Sequence, residues 1–414
     1  MVVLQINKFF YEKGGAERYL FLLTDALRDR GHDVIHFSMR HPENRPSPYD
    51  GYFVSRKDYE APGGLVQAMR HGTSFVRSRE AAVNIRGLIR DHRPDVAHLH
   101  NIYHQITPSI IPELSAAGVP VVMTLHDYKL ICPNYGLFAH DHYCYRCRGG
   151  RFYQAALTRC DGGALGRSLL LAAEAHWQRW TKAYDSVRRF IAPSRYLHRM
   201  FVEAGFGAER LVYLPGFVPQ RDAAAPEAQR RTSMTGGLPE SYVLYFGRLS
   251  AEKGIETLLD AAAMCSNIPL VVCGGGPLAK ALREKAESLR LDNVHFTGYL
   301  DKPVLDQVVA NARVVVLPSA SPENAPFTVL EAAAAGVPAI VSDMGGLPEM
   351  AEILGGWVFR SGDATALAGL IRDAWSDPAQ ARDRGRAARV PLAEHFDRDR
   401  HVTALERIYQ EARG

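Results

Sequence analysis

Four charged residues in the second half of the chain have the types and spacing to bind a phosphorylated sugar. Glu323 and Glu331 stand in SPENAPFTVLEAAAAGVP, and Arg248 and Lys253 stand in GRLSAEKG. Carboxylates accept hydrogen bonds from hydroxyl groups, whereas a guanidinium and an ammonium bind phosphate oxygens. A ligand that carries a diphosphate between two hydroxyl-rich groups would use both kinds of side chain. A nucleotide sugar has that layout.

Each of these segments follows a predicted strand and opens a predicted helix. The strand VVVLPS precedes Glu323, and Pro326 suits the first turn of a helix because its missing N–H needs no partner there. The N–H groups at 325–328 would therefore form an anion site, with Glu331 further along the same helix. Taken alone, the two glutamates could be a loop charge and a solvated helix residue. The basic pair after the strand YVLYF, in the same predicted domain, favours the binding interpretation.

Short β-branched runs alternate with helical patterns along all 414 residues, which indicates α/β domains with parallel sheets. The polar segment QRDAAAPEAQRRTSMTGG separates two such series. We predict two Rossmann-like, doubly wound domains at 1–218 and 219–390, and a last helix within 391–414 that crosses back to the first domain. Ligands bind beyond the carboxyl ends of the strands in such sheets, so two facing domains would share a central cleft.

Composition and charge exclude several classes of protein. The net charge is +4 and no block of five or six like charges occurs, which argues against a nucleic-acid binder. The N-terminus shows no charged region followed by a long apolar one, and no run approaches ~18 apolar residues. We therefore predict a cytoplasmic enzyme. Six cysteines are too few for a disulfide scaffold in a chain of this length.

Together these segments resemble the donor-site motifs of the family 4 retaining glycosyltransferases, which have the GT-B fold. KGGAERYL near the start, TLHD in the middle and the closing HVTALERIYQEA extend the resemblance over nearly the whole chain. The resemblance implies that a sugar is moved, with retention of its anomeric configuration, from a UDP-, GDP- or ADP-sugar to a glycan or lipid-linked acceptor. It implies a place in cell-envelope or exopolysaccharide assembly.

The resemblance also implies a role for each matched residue. Arg248 and Lys253 would bind the donor diphosphate, Glu331 the ribose, and Glu323 the sugar hydroxyls, while His126 would orient the sugar near its anomeric carbon. The other matched positions are Gly14 and Gly15 in a loop that closes over the diphosphate, Gly298 and Tyr299 near the base, Asn324, Ala325, Pro326 and Phe327 beside Glu323, and the acceptor-side candidates His100, Asn101 and His104.

The reaction implied by this resemblance requires no cofactor. The leaving phosphate oxygen would take the proton of the acceptor on the same face, so no enzyme nucleophile is needed. Arg248 and Lys253 would replace the divalent ion that other glycosyltransferases use, which is consistent with the lack of a D-x-D sequence in a plausible loop.

An insert at about 128–162 carries four of the six cysteines, and two interpretations of them stay open. Cys132, Cys144, Cys147 and Cys160 could hold a structural zinc, with His140 or His142 in place of one thiolate. Alternatively they are ordinary reduced thiols, since the spacing is not that of a common zinc module. In either case the insert follows His126, which predicts a position beside the acceptor pocket.

Two further patterns have alternative explanations. Trp177, Trp180 and Tyr184 recur at a helical period among Arg and Lys residues, which fits a helix packed on its own domain or one that contacts an anionic membrane. The G-x-G-x-x-A at 274–279 lacks the acidic residue of a dinucleotide site, and we interpret it as a tight turn.

Two other functions remain compatible with the sequence. One is another GT-B enzyme, such as a nucleotide-sugar epimerase, which would need no acceptor. The other is a non-catalytic protein that binds sugar nucleotides, although such a protein need not retain His126, Arg248, Lys253, Glu323 and Glu331 together.

Overall fold

The computed structural model describes residues 1–57, 75–218 and 237–414. These residues form two compact units. Unit 1 comprises Met1–His140, Cys144–Gly216 and Arg398–Gly414, and unit 2 comprises Asp141–Tyr143 and Phe217–Asp397. Most of the predicted interdomain segment at 220–237 lies outside the described residues. No helix among the described residues is long and apolar enough to cross a membrane.

The elements before Phe217 alternate between strands and helices. The strands are β1 (Val2–Ile6), β2 (Asp33–Phe37), β3 (Val96–Leu99), β4 (Val121–Thr124), β5 (Phe138–Ala139), β6 (His142–Tyr143), β7 (Val187–Ala192) and β8 (Leu211–Tyr213). The helices are α1 (Gly15–Asp29), α2 (Arg79–His92), α3 (Ile111–Ala116), α4 (Tyr153–Leu157), α5 (Leu165–Trp180) and α6 (Arg195–Glu203).

The elements of the second half repeat this alternation. The strands are β9 (Val243–Phe246), β10 (Leu270–Cys273), β11 (Val294–Gly298), β12 (Val314–Leu317), β13 (Ala339–Ser342) and β14 (Trp357–Phe359). The helices are α7 (Ile255–Ala263), α8 (Ala279–Ser288), α9 (Lys302–Asn311), α10 (Phe327–Ala335), α11 (Leu347–Leu354), α12 (Ala364–Ser376), α13 (Pro378–Ala387), α14 (Arg389–His395) and α15 (Arg398–Arg413).

Each unit is built on a six-stranded parallel sheet. The order is β2-β1-β3-β4-β7-β8 in unit 1 and β11-β10-β9-β12-β13-β14 in unit 2. Both orders reverse direction near the middle, between β1 and β3 and between β9 and β12. Ligands bind at such reversal points, beyond the carboxyl ends of the strands. The central strands are fully buried, which explains why they are almost continuous runs of Val, Leu and Ile.

The last helix, α15, belongs to unit 1. It packs on α1, β3, β4 and β7, and it buries Val402, Leu405, Ile408 and Tyr409. The predicted final segment of 391–414 begins too early, because residues 391–397 belong to unit 2. There α14 buries Leu392, and Phe396 after it, in the core beside α10 and α11. The chain returns to unit 1 only after Asp397.

Candidate functional site

The four charged residues of unit 2 follow strands of one parallel sheet. Arg248 follows β9 and Glu323 follows β12, and these are the two strands at which the sheet order reverses. Lys253 lies in a short 3₁₀ turn that leads from β9 into α7. The topology therefore brings segments that are 70 residues apart, as Lys253 and Glu323 are, to one edge of the sheet.

Lys253 and Glu323 form a direct ion pair at this edge. The Lys253 Nζ donates to Glu323 Oε1 at 2.6 Å, and the Ser319 hydroxyl donates to the same oxygen at 2.8 Å. The two charged side chains are 30% and 15% exposed, so a ligand can reach the pair. Burial lowers the pKa of Lys253, but the adjacent Glu323 carboxylate outweighs it, and the pKa is raised overall. The ammonium therefore stays charged at neutral pH.

The backbone around Glu323 is held on two sides. The Glu323 carbonyl accepts from the Gly346 N–H at 2.7 Å, and Glu323 forms a parallel bridge with Gly345. Gly345 has a φ of +69°, and a Cβ there would lie 2.2 Å from the Glu323 carbonyl oxygen. On the other side, the Ala320 N–H donates to the Glu252 carbonyl at 2.9 Å. These contacts fix the loop that presents the carboxylate.

Arg248 is exposed just beyond the end of β9, and a tyrosine of that strand holds its backbone in place. The Tyr245 hydroxyl donates to the Arg248 carbonyl at 2.8 Å. The neighbouring G-x-G-x-x-A loop packs directly on this segment, since a Cβ at Gly274 would lie 1.9 Å from the Gly247 carbonyl oxygen. The glycines of this loop therefore allow its backbone to approach the backbone of the Arg248 segment closely. The positive charge of Arg248 lowers the pKa of Lys253 to some extent, which shows that the two cations are close enough to interact electrostatically.

Glu331 is buried on the first turns of α10, where its carboxylate pairs with Lys302 Nζ at 3.1 Å. Lys302 begins α9, which packs beside α10. The helix begins at Phe327, so the extended Pro326 precedes the helix and does not lie in its first turn as predicted. The helix ends at the left-handed Gly336, as the sequence predicts. Two other matched residues of unit 2, Asn324 and Ala325, lie in the loop before α10. At the end of β11, Gly298 has a φ of +73° and the Tyr299 side chain is 82% exposed.

In unit 1, His126 lies two residues beyond β4 and is hydrogen-bonded to a second histidine. His100 Nδ1 is 2.9 Å from His126 Nε2, and His100 Nε2 is 2.6 Å from the Gln5 side-chain oxygen. His100 is fully buried, while His126 is half-buried. Burial lowers the pKa of His126 to about 3, and it lowers that of His100 well below its usual value. Both rings are therefore neutral at physiological pH.

The last helix reaches the same region through hydrogen bonds that involve two further histidines. The Tyr19 hydroxyl is 2.8 Å from His401 Nε2, and His401 Nδ1 is 2.8 Å from the Pro215 carbonyl. His98 is 2.7 Å from the Tyr409 hydroxyl. The sequence reading did not single out these residues. A signal was nevertheless present, because the closing helix places a histidine and a tyrosine eight positions apart on one face.

The other matched residues of unit 1 lie around the start of α1 and after β3. Gly14 precedes α1 in an extended conformation, and Gly15 is the first helical residue. The Asn101 N–H donates to the Asn7 side chain at 3.0 Å. The His104 ring stacks on Phe75 at 4.2 Å between ring centres. The roles predicted for these residues stay predictions.

The cysteines of the insert do not form a metal-ligand set in the part of the chain that the structure describes. No group of three or more His, Cys, Asp or Glu side chains is arranged there to hold a metal ion. Cys132 and Cys147 are buried, and burial raises the pKa of each thiol to about 12. Cys132 Sγ donates to the Asn134 side chain at 2.9 Å. The neighbouring thiols of Cys147 and Cys160 also contribute to the raised pKa of Cys132, so these cysteines lie near one another, and a structural zinc held by them stays a prediction.

Comparisons with known proteins identify the family of the chain. The family model described as Glycosyltransferase Family 4 matches residues 13–220, and that of the glycosyl transferases group 1 matches residues 236–390. The chain is 28% identical over 423 residues to a glycogen synthase of Mycobacterium tuberculosis. This alignment covers 97% of the chain and 92% of that enzyme. The chain is also 30% identical over 207 residues to the O-antigen chain mannosyltransferase C of Escherichia coli. That alignment covers 49% of this chain and 54% of that enzyme.

A solved structure extends the likeness to the fold. HepE of Anabaena, crystallised in complex with UDP, superposes with a TM-score of 0.68 at 19% identity and covers 99% of this chain and 100% of its own. This likeness, together with the two parallel-sheet α/β units of the chain, supports the GT-B fold. Because its motifs and both family models agree, the chain belongs to glycosyltransferase family 4 and has the GT-B fold.

Proposed function

We propose that this glycosyltransferase transfers a sugar from a nucleoside-diphosphate donor, with retention of anomeric configuration, to a glycan or lipid-linked acceptor of the cell envelope. The observation that carries the proposal is the placement of Arg248, Lys253 and Glu323 at the reversal point of the unit 2 sheet. Two cations suit the two phosphate groups, and the carboxylate suits the sugar hydroxyls. The likeness to an O-antigen mannosyltransferase supports the envelope assignment.

The chemistry needs positive charge where the leaving group develops negative charge. Lys253 is fixed by Glu323 and stays protonated, and Arg248 adds a second cation whose backbone is anchored by Tyr245. We propose that these two side chains stabilise the departing diphosphate without a divalent ion. The leaving phosphate oxygen then takes the proton of the acceptor hydroxyl. His126 is neutral because desolvation lowers its pKa, so it would orient the sugar and would not act as an acid.

The first test is the melting temperature of the protein with UDP, GDP and ADP and their sugars. We expect one nucleotide family to raise it, because a ligand that binds only the folded state stabilises that state. UDP comes first in the panel, since HepE binds it in its solved structure. Replacing Arg248 with alanine should abolish the shift while leaving the melting temperature without ligand within about 2 °C, because an exposed surface residue contributes little to stability.

Arg382→Ala is the matched control, since Arg382 is an exposed arginine of the same unit on α13. It should keep the full ligand-induced shift. The shift of the unmodified protein should also persist in excess EDTA, as expected for a diphosphate bound by side chains alone. No shift with any nucleotide, or a shift that survives Arg248→Ala unchanged, would refute the diphosphate site.

We further propose that unit 1 contacts the surface of an anionic membrane, as would suit a lipid-linked acceptor. The surface consists of outward-facing apolar residues on α4 and α5, and we call it the α4–α5 apolar surface: Tyr153, Leu157, Leu165, Leu169, Trp177 and Trp180. Trp180 is 77% exposed and Leu157 is 72% exposed. The opposite face of α5 is buried against unit 1, so the exposed apolar residues are not needed for the packing of this helix.

Charge around this surface favours lipid headgroups as its partner. Residues 146–182 contain seven Lys or Arg and two Asp or Glu. Both acids are paired with a basic residue, Asp161 with the partly exposed Arg167 at 2.7 Å and Glu174 with the buried Lys129 at 2.8 Å. Tryptophan and leucine within a basic surface are typical of segments that lie in a membrane interface. Tyr184 does not take part, because α5 ends at Trp180 and the left-handed Lys182 turns Tyr184 into the core.

Cosedimentation with vesicles tests this surface. We expect binding to vesicles that contain phosphatidylglycerol and little binding to pure phosphatidylcholine. Replacing Leu169 and Trp180 with serine should weaken binding at least about tenfold, since each buried side chain contributes about 1.5–3 kcal/mol. Met264→Ser with Leu289→Ser, two residues of unit 2 that are 49% and 42% exposed, should leave binding unchanged. Self-association in light scattering that the same serine variants abolish, without vesicle binding, would assign the surface to a second copy.

A further inference from the structure

The histidines behind the carboxyl edge of the unit 1 sheet are neutral, which gives their hydrogen bonds a defined direction. Burial lowers the pKa of His98, His100, His126 and His401 below the physiological range. A neutral imidazole has one nitrogen that donates and one that accepts. Each hydrogen bond that one ring nitrogen makes therefore determines what the other nitrogen can do.

The hydrogen bond between Gln5 and His100 determines which nitrogen donates in the hydrogen bonds that follow it. The Gln5 side-chain oxygen is 2.6 Å from His100 Nε2, and an amide oxygen can only accept. His100 Nε2 therefore carries the proton, and His100 Nδ1 must accept. Its neighbour at 2.9 Å is His126 Nε2, so this nitrogen of His126 must carry a proton and donate. The second nitrogen of His126, Nδ1, is then limited to accepting.

The ring of His126 is also held from α1 and the last helix. The Pro215 carbonyl accepts from His401 Nδ1 at 2.8 Å, so His401 Nε2 accepts the proton of the Tyr19 hydroxyl at 2.8 Å. The Tyr19 ring then meets the His126 ring edge-on, at 5.4 Å between ring centres. These contacts fix the orientation of the imidazole, while Gln5 and His100 fix its proton.

We propose that Gln5 and His100 are positioning residues that hold His126 in the tautomer protonated on Nε2, so that Nδ1 accepts a hydrogen bond from a hydroxyl group of the ligand. That this hydroxyl belongs to the donor sugar rests on the proposed function. The tautomer itself does not rest on it. His100, predicted from sequence as an acceptor-side residue, acts in this account through His126 and does not contact the acceptor.

The tautomer can be observed directly in protein labelled with ¹⁵N-histidine. Long-range ¹H–¹⁵N spectra distinguish a protonated from an unprotonated ring nitrogen, and the His126 signals are those lost in His126→Ala. We expect Nε2 to be protonated and Nδ1 to be unprotonated in the unmodified protein. Protonation on Nδ1 would overturn the proposal without any variant, and would leave the proposed glycosyl transfer untouched.

A pair of variants at position 100 tests the control of His126. Asparagine can place its side-chain oxygen where His100 Nδ1 lies, and so keeps an acceptor for His126, whereas leucine offers none. We expect His100→Asn to retain the Nε2-protonated tautomer and His100→Leu to show a second population protonated on Nδ1. With donor, kcat should fall about tenfold or more in His100→Leu and less in His100→Asn, as expected for the loss of one aligned hydrogen bond.

Gln5→Leu provides an independent variant if His100→Leu does not fold. It removes the acceptor oxygen from His100 and should likewise mix the two tautomers of His126. An unchanged His126 tautomer in both Gln5→Leu and His100→Leu would show that these residues do not control it. Normal tautomers together with no nucleotide-induced stabilisation would instead reject the proposed function alone.

Discussion

Replacing Lys253 with methionine is expected to reduce the rate of nucleoside-diphosphate release from the donor sugar by about 10²–10³-fold, the usual cost of removing one preorganised charge-stabilising group. Methionine keeps the length of the side chain and removes the ammonium that Glu323 holds at 2.6 Å. The measurement is release of the diphosphate from the donor that the melting-temperature panel identifies. Donor hydrolysis provides this signal even before the acceptor is known.

Lys280→Met is the matched control for this experiment. Lys280 belongs to the same unit, but its side chain is 90% exposed and its pairing with Glu284 at 3.7 Å is a surface pair. Such pairs contribute little, so the rate should change less than about twofold. A loss of less than about tenfold in Lys253→Met would show that the Lys253–Glu323 pair serves the loop structure and does not stabilise the leaving group.

Replacing Glu174 with glutamine is expected to lower the free energy of unfolding of unit 1 by about 3–5 kcal/mol, because it leaves a buried ammonium without its counter-ion. Lys129 Nζ lies 2.8 Å from Glu174 Oε2, and the two side chains are 2% and 0% exposed. The measurement is urea-dependent hydrogen exchange in peptides from α5, which report on unit 1. Glu113→Gln, which breaks the partly exposed pair with Arg86, should cost at most about 1 kcal/mol.

The same ion pair predicts how the stability of unit 1 depends on pH. Burial raises the pKa of Glu174, but Lys129 and His104 outweigh it and hold the pKa at about 2. Because this value lies below the unfolded one of about 4.3, the stabilisation is fully present above pH ~5 and is lost as the pH falls toward 2. Glu174→Gln should remove that part of the acid dependence. A variant with the same acid transition as the unmodified protein would contradict this assignment.

The strand-end placement of the proposed donor-site residues could be predicted from sequence because the segments that carry them are local. Each lies within a strand-to-helix segment of fewer than about ten residues, where strand ends, Pro326 and Gly336 mark the boundaries. The α/β alternation then placed Arg248 and Glu323 at equivalent ends of parallel strands, and the structure confirms the fold class. The partners Ser319 and Lys302 were missed, because single polar residues carry no periodic signal.

The histidine network could not be predicted in the same way. Gln5, His100, Tyr19 and His401 come from β1, β3, α1 and α15, and only the order of the sheet and the return of the last helix bring them together. For a related reason, the helical period of Trp177, Trp180 and Tyr184 did not show that Tyr184 lies beyond the helix and is buried. A helical period cannot show where a helix ends, and α5 ends at Trp180.

The sequence by itself determined the two α/β domains, the family and the strand-end positions of the residues proposed to bind the donor, because local chemistry and hydrophobic period encode all three. Only the tertiary structure decided which charges pair, as in Lys253 with Glu323, and how His126 is held. Among the described residues it shows no group of three or more His, Cys, Asp or Glu side chains arranged to hold a metal, and the structural zinc stays a prediction. These outcomes depend on contacts between residues tens to hundreds of positions apart, whose distances follow from packing and not from spacing along the chain.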